Sequence, residues 1–187
     1  MDQKMSWTAY HEAAHAVAGV RLRFPCRGVS IVPGKESHGA IALEDIPQVG
    51  GLEADPSGWF PDRDGVDRCV MALFAGHFSC KISGQPIEEA LDMSQDDFDK
   101  IEAILPFARS GHADLLGRAA DLVRDSEKSI HALASRLCLY MTQDFLEVGL
   151  VVAASRGNAD AGRRLRARDR LIHSADFGDQ SHTHPVG

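Results

Sequence analysis

Small and apolar residues recur at helical spacing along most of the chain. Residues 7–22 are rich in Ala and contain no Pro, which predicts a helix with Ser6 as its N-cap. Residues 66–82 place apolar side chains on one face, and an amphipathic stretch that begins near Ser94 predicts another helix. Pro106 is expected to end or kink that helix.

The C-terminal half of the chain continues the helical pattern. Residues 111–142 predict one long helix or two shorter ones, and residues 145–154 form a further short apolar segment. After Ser155 the composition shifts to Gly, Asp and Arg, and then to a polar tail that contains His. We therefore expect one domain over residues 1–154 and a polar C-terminal extension over residues 155–187, disordered over at least its last ten residues.

Two short segments have the composition of β-strands. They span residues 27–33 and 39–43, and the turn residues 34–37 between them predict a β-hairpin. Residues 45–64 contain three Pro and three Gly, which predicts a long loop. The pattern as a whole predicts a mainly α fold (α+β), with a small hairpin beside the first long helix.

Composition and charge narrow the function classes. The 187 residues are 44% hydrophobic and 25% charged, which is typical of a soluble globular protein. The net charge of -7 argues against a nucleic-acid partner, which would require a basic surface. No apolar run is long enough for a membrane span, and the polar start does not resemble a signal peptide. Four scattered cysteines indicate reduced thiols, so we expect a cytoplasmic location and no Cys-rich zinc site.

The first predicted helix carries the pattern H-E-x-x-H at His11, Glu12 and His15. Residues four apart on a helix share a face, so both imidazoles can reach one ion. Neutral imidazoles suit Zn²⁺, and a catalytic zinc site keeps one position open for water. Glu12 lies one step around the helix, near enough to contact a zinc-activated water. The pattern predicts His11 and His15 as zinc ligands and Glu12 as the general base of a hydrolase.

An exposed helix face that carries two His and one Glu by chance is the competing interpretation of this motif. Small residues surround the motif at Ala13, Ala14, Ala16 and Ala18, and they allow another element to pack closely on the helix. Close packing favours a buried metal site over an exposed helix face.

A catalytic zinc requires a third protein ligand from elsewhere in the chain. The acidic residues 92–99 are the best source, and the local pattern leaves Asp96, Asp97 and Asp99 as equal candidates. Ser94 followed by Asp97 is also a capping-box arrangement at a helix start, a role that is compatible with metal coordination.

Four short blocks then follow a recognisable order. Residues 9–17 read A-Y-H-E-A-A-H-A-V, residues 29–33 read V-S-I-V-P, residues 71–76 read M-A-L-F-A-G and residues 94–98 read S-Q-D-D-F. They resemble the blocks A-x-H-E-A-G-H-A-V, V-T-I-x-P, L-x-G-G-R-x-A-E and S-N-D-L in the peptidase domain of FtsH-type AAA zinc metalloproteases, the Asp-zincins. The resemblance spans about residues 5–150 and implies a helical zincin-like peptidase domain.

This resemblance selects Asp97 as the third ligand, because the family's ligand Asp is followed by an apolar residue and Phe98 fills that place. It implies Zn²⁺ as the cofactor and a peptide or unfolded protein as the substrate. Where the family has Arg and Glu after its Gly pair, this chain has His77 and Cys80, which puts the roles of those two side chains in doubt.

The position of the motif differs from the family's arrangement. Family members carry membrane spans and an ATPase domain ahead of the peptidase domain, whereas the motif here begins ten residues from the start. The resemblance therefore implies a free-standing metalloendopeptidase domain without the ATPase. Such a domain would cut flexible segments, peptides or substrates supplied by a separate delivering protein. The oligomeric state stays open.

Two other function classes remain open. IrrE/ImmA-like regulatory metallopeptidases also carry H-E-x-x-H near the N-terminus of a small domain, and a Glu or His on the metal in place of Asp97 would favour them. The second alternative is a non-catalytic zinc-binding interaction domain, against which the intact Glu12 argues. Residues 39–43 are either an edge strand that aligns substrate by β-addition or an ordinary hairpin strand.

Overall fold

The computed structural model describes residues 3–23, 26–32, 40–43 and 63–178. Nine helices, one 3₁₀ turn and three short strands occupy these residues. In chain order they are α1 (Gln3–Arg21), β1 (Cys26–Ser30), β2 (Ala40–Leu43), α2 (Arg63–Phe78), α3 (Cys80–Ser83), α4 (Ile87–Met93), α5 (Gln95–Ile104), the 3₁₀ turn (Leu105–Phe107), α6 (His112–Arg124), α7 (Glu127–Tyr140), β3 (Thr142–Asp144), α8 (Phe145–Ser155) and α9 (Ala159–Gly178). The predicted fold, mainly helical with a small antiparallel sheet, is confirmed.

Helix α1 lies at the centre of the fold, between α2 and α7. Ala9, Ala13, Ala16 and Val17 are completely buried along it, and these small side chains let the neighbouring helices approach closely. The helix begins at Gln3, so the prediction of Ser6 as its N-cap is wrong. Gln3, Lys4 and Met5 are good helix formers, and they extend the helix by about one turn beyond the predicted start.

The three strands form one sheet in the order β2-β1-β3, with β1 antiparallel to both neighbours. The predicted hairpin strands are paired, with Val29 opposite Ile41. The third strand was not predicted, because its sequence T-Q-D lacks alternating apolar residues. Gly28 permits the close approach of this strand, since a Cβ at that position would lie 2.7 Å from the carbonyl oxygen of Gln143. Among the described strands, β2 has one neighbour and is therefore an edge.

A second group of apolar residues fills the space between α2, α5 and α6. Phe74, Ile101 and Leu115 are buried there. The predicted helix that begins near Ser94 corresponds to α5, and the 3₁₀ turn containing Pro106 follows it directly, as expected. Helix α4 was not predicted, because it is short and starts immediately after Pro86.

Two further predicted segments, residues 111–142 and residues 45–64, can be compared with the observed elements. Residues 111–142 contain two helices, α6 and α7, which confirms the second of the two predicted alternatives, and β3 begins at Thr142. Residues 63 and 64 already belong to α2, so the predicted loop is shorter than residues 45–64, and its residues 45–62 lie outside the described part. None of the helices in the described residues is both long and apolar enough to cross a lipid bilayer.

The polar C-terminal extension contains a 20-residue helix, α9, which packs on α8 and buries Leu165. Asp169 of this helix forms two hydrogen bonds with the Arg136 guanidinium, at 3.0 and 2.8 Å. Arg168 donates to Glu147 at 3.0 Å and to Asp144 at 2.9 Å. These contacts attach α9 to the preceding elements. Of residues 178–187, where we predicted disorder, Gly178 is the last residue of α9 and residues 179–187 lie outside the described residues.

Asp67 connects α2 to the segment that leads into α6. Its buried carboxylate accepts hydrogen bonds from the backbone N–H of Arg109 at 2.8 Å, the backbone N–H of Ser110 at 3.2 Å and the Ser110 hydroxyl at 2.6 Å. Burial opposes ionisation, but these hydrogen bonds outweigh it and hold the pKa of Asp67 below its usual value. The ionised carboxylate therefore stabilises the folded state.

We expect Asp67→Ala to lower the free energy of unfolding by about 2 kcal/mol at neutral pH, because three donors lose a charged acceptor. Thermal denaturation of the two proteins measures this loss. The difference from wild type shrinks as the pH falls below about 4, where the unfolded-state Asp becomes protonated. Asp64→Ala is the matched control, since exposed Asp64 pairs with the Arg109 side chain alone among the described residues, and we expect a change within about 0.5 kcal/mol. Equal effects of both substitutions would contradict this assignment.

Candidate metal centre

Two helices bring three candidate ligands together in the protein interior. His11 and His15 come from α1, and Asp97 is the third residue of α5. Asp97 Oδ2 lies 3.2 Å from His11 Nε2 and 3.0 Å from His15 Nε2, and the two Nε2 atoms are 3.0 Å apart. All three residues are at most 8% exposed. The structure thus places the three predicted ligand residues around one point, and they could hold a metal ion.

The spacing of the three donor atoms fits a small divalent cation. A tetrahedral zinc ion with bonds of about 2.0–2.1 Å places its ligand atoms about 3.3 Å apart. The three observed separations of 3.0–3.2 Å are close to this value. Two imidazoles and one carboxylate are also a common ligand set of catalytic zinc sites. The residues present therefore fit the metal that the sequence predicts.

The backbone of α2 fixes the orientation of His15. His15 Nδ1 lies 2.7 Å from the carbonyl oxygen of Ala72. A carbonyl oxygen can only accept, so Nδ1 carries a proton and donates it to Ala72. In the neutral ring Nε2 then holds a lone pair, which faces Asp97 and His11. An N–H to carbonyl bond of this kind is the usual outer-shell partner of a metal-ligating histidine.

Gly76 of α2 lies directly against both imidazole rings. A Cβ at this position would overlap His15 Nε2, and it would lie 2.5 Å from His15 Cε1 and 2.8 Å from His11 Cε1. Real Cβ atoms essentially never approach other atoms this closely. The absence of a side chain at Gly76 therefore leaves room for the two rings in their converging orientation.

Three buried lone-pair donors without a cation would repel one another, and a proton relieves this in the metal-free protein. Burial lowers the pKa of His15, but the neighbouring Asp97 carboxylate outweighs burial and raises that pKa to about 9. Burial lowers the pKa of His11, and the charge of His15 adds to this effect. Burial opposes ionisation of Asp97, yet the imidazoles hold its pKa well below the usual range. A metal ion must displace the proton on His15, so metal affinity rises with pH.

Glu12 lies beside this cluster and does not belong to it. Its side chain is 7% exposed, and no hydrogen bond to its carboxylate is found among the described residues. In the metal-free protein, burial raises the pKa of Glu12 to about 7; His15 opposes this effect and Asp97 adds to it. A carboxyl group that titrates near neutral pH is suited to accept and return a proton.

Of the acidic residues near the start of α5, Asp97 belongs to the candidate metal site, and it does not cap the helix. Ser94 precedes α5, but its side chain makes no capping hydrogen bond, so the predicted capping box is absent. Asp97 is buried because its carboxylate turns toward the imidazoles, whereas Asp96 and Asp99 are exposed. Burial beside two imidazoles distinguishes Asp97 from Asp96 and Asp99, which the local pattern left as equal candidates.

Sequence reasoning missed two contributors to the site. It assigned no role to Ala72, whose carbonyl oxygen bonds His15, or to Gly76, which contacts both rings. One signal was present: α2 carries small residues at Ala72, Ala75 and Gly76, a spacing that lies on one helix face and matches the small residues of α1. Facing stripes of small residues indicate closely packed helices, but they do not show which backbone carbonyl meets an imidazole.

We expect His15→Ala and Asp97→Ala each to weaken zinc binding by more than about 100-fold, because loss of an outer-shell partner alone costs about 10–100-fold. Competition with a chromophoric chelator measures the affinity. Asp96→Ala and Asp99→Ala remove the same charge from the same helix at exposed positions, so they are the matched controls and should bind zinc as wild type does. Weaker binding in either control, with normal binding by Asp97→Ala, would show that the wrong aspartate was assigned.

Comparisons with known proteins do not place this chain in a family. No protein-family model matches it, and no curated protein matches it at a significant level.

Proposed function

We propose that this protein is a zinc-dependent metalloendopeptidase whose site resembles that of FtsH-type peptidase domains, with His11, His15 and Asp97 as ligands and Glu12 as the general base. The observation that carries the proposal is the convergence of three buried donor atoms within 3.0–3.2 Å of one another. The hydrogen bond from His15 to Ala72 supports it, because it leaves the other ring nitrogen free to bind a metal.

The chemistry divides between the ion and Glu12. A bound Zn²⁺ would act as a Lewis acid toward the peptide carbonyl and lower the pKa of a water molecule. Glu12 would accept a proton from the attacking water and return a proton to the leaving amine. Because Glu12 is adjacent to His11 on α1, the base and the two histidine ligands are held on one rigid helix.

The edge strand β2 is the proposed site for substrate alignment. It pairs with β1 on one side and has no second partner among the described strands. An extended peptide could add to this edge through backbone hydrogen bonds, which favours unfolded segments over folded proteins. This mode would also suit a substrate supplied by a separate delivering protein.

Asp97 favours this function over the first alternative, and Glu12 favours it over the second. An IrrE/ImmA-like site would be supported by a Glu or His as the third ligand, but the described residue that meets both imidazoles is an aspartate. A purely structural zinc site has no use for a buried carboxylate beside the ligands, where burial raises the pKa of Glu12 to about 7.

Two assays test this proposal. Elemental analysis of the purified protein is expected to find one zinc per chain, and incubation of the zinc-loaded protein with unfolded casein is expected to yield fragments. Removal of zinc by a chelator should abolish cleavage, and added zinc should restore it. A zinc-loaded protein that binds peptides but never cleaves them would favour the interaction domain instead.

A further inference from the structure

Lys100 lies one helical turn beyond Asp97 on α5 and faces the outer oxygen of the same carboxylate. Its Nζ is 3.9 Å from Asp97 Oδ1, whereas Oδ2 of that carboxylate faces the imidazoles. The Lys100 side chain is 42% exposed. The ammonium group is thus next to the metal centre and open to molecules that enter from solvent.

The contacts of Lys100 leave its hydrogen-bonding capacity unused. A separation of 3.9 Å is too long for a hydrogen bond, and none to this ammonium is found among the described residues. A half-exposed pair of this length contributes little to stability. Its charge also acts on Glu12, where it opposes the burial that raises the pKa of that carboxyl. Lys100 thus lies 3.9 Å from Asp97 and acts on Glu12 through its charge, but no hydrogen bond among the described residues holds its ammonium group.

Lys100 lies in an acidic part of the chain. Residues 87–104, which form α4 and α5, contain seven acidic residues, and Lys100 is their single basic residue. Of the acidic side chains on α5, Asp96, Asp99 and Glu102 are exposed. Lys100 is thus the one residue of these two helices whose side chain could pair with negative charge on a bound molecule.

We propose that Lys100 is a further catalytic residue, which donates a hydrogen bond to the carbonyl oxygen of the scissile peptide bond as negative charge develops on that oxygen. This inference rests on the proposed peptidase function. In hydrolysis the carbonyl oxygen gains charge when water adds to the carbonyl carbon, and a fixed donor at that position lowers the barrier. The flexible stem of a lysine lets the ammonium leave Asp97 and reach a substrate bound beside it.

Binding experiments test this role separately from hydrolysis. The probes are the peptide Ala-Leu-Ala and its phosphinic analogue, in which a charged tetrahedral phosphinate replaces the first peptide bond. We expect Lys100→Met to weaken binding of the phosphinic analogue by about 100-fold, since loss of one such donor typically costs about 10²–10³ in rate. Binding of Ala-Leu-Ala, measured in zinc-loaded Glu12→Gln protein to prevent cleavage, should change less than about threefold. Lys100→Arg should retain most of the affinity for the analogue.

The controls separate a direct contact from indirect effects. Lys128→Met removes the same charge from an exposed position on α7, so it should leave both affinities unchanged. Zinc affinity of Lys100→Met should not fall, because the substitution removes a positive charge near the ion. Equal loss of affinity for both probes, no loss for either, loss of zinc, or no binding of the analogue by wild type would overturn the assignment. The casein assay decides the peptidase function independently of these results.

Discussion

Glu12→Gln is expected to slow peptide hydrolysis by about 10²–10⁴-fold, because proton transfer by a positioned side chain typically contributes that much. The substitution keeps the shape of the side chain but removes its basicity. Zinc binding should persist, since the three candidate ligand atoms belong to His11, His15 and Asp97. Cleavage of casein at equal zinc loading measures the effect.

The same substitution is expected to stabilise the metal-free protein. The pKa of buried Glu12 is raised to about 7, whereas an unfolded Glu ionises near 4.3. Folding therefore becomes less favourable as the pH rises between these values, because the folded state opposes ionisation. Glu12→Gln removes this penalty, so its melting temperature should exceed that of wild type at pH 8. A residue that lowers stability is best explained by a functional role.

Glu102→Gln is the matched control for both measurements. It makes the same chemical change on α5, at an exposed position. We expect it to retain wild-type cleavage and stability. If Glu12→Gln cut casein as fast as this control, the role of general base would have to be given up.

Gly76→Ala is expected to abolish zinc binding at concentrations that saturate wild type, a loss of more than about 100-fold in affinity. The added methyl group would overlap His15 Nε2 and press against His11 Cε1 at 2.8 Å. The two rings must then rotate or the helices must separate, and either movement breaks the convergence of the donors. Chelator competition and circular dichroism together distinguish loss of the metal from loss of the fold.

Gly117→Ala provides the control for the general effect of replacing a helical glycine. Gly117 is exposed on α6, and a Cβ there would meet open space. We expect unchanged zinc affinity and a gain of about 0.5–1 kcal/mol in the free energy of unfolding, because Ala is the better helix former. Wild-type zinc affinity in Gly76→Ala would show that the rings do not depend on the missing side chain.

The local sequence predicted those parts of the site that lie on one helix. The spacing of His11, Glu12 and His15 fixes their relative positions once α1 forms, because residues four apart share a face. The small residues of α1 likewise indicated the close packing of another helix, which is α2. The helical pattern and the paired strands β1 and β2 followed from the same short-range signals.

Contacts between distant segments could not be derived in this way. Asp97 is 82 residues from His15, and no local pattern distinguishes it from the exposed Asp96. The capping interpretation of Ser94 was wrong because the Ser94 N–H bonds the carbonyl oxygens of Ala90 and Leu91 at the end of α4, and the Asp97 carboxylate turns toward the imidazoles. Strand β3 was not predicted, because its pairing depends on the close approach of Gly28 in β1 to Gln143 in β3, which is a tertiary contact.

A crystal structure of the zinc-loaded protein, with anomalous scattering measured at the zinc absorption edge, would test the central claim most directly. We expect one ion within about 2.0–2.2 Å of His11 Nε2, His15 Nε2 and an Asp97 oxygen, with no protein side chain at the fourth position. An ion bound elsewhere, or a fourth protein ligand that closes the site, would contradict the assignment of these residues to a hydrolytic zinc centre.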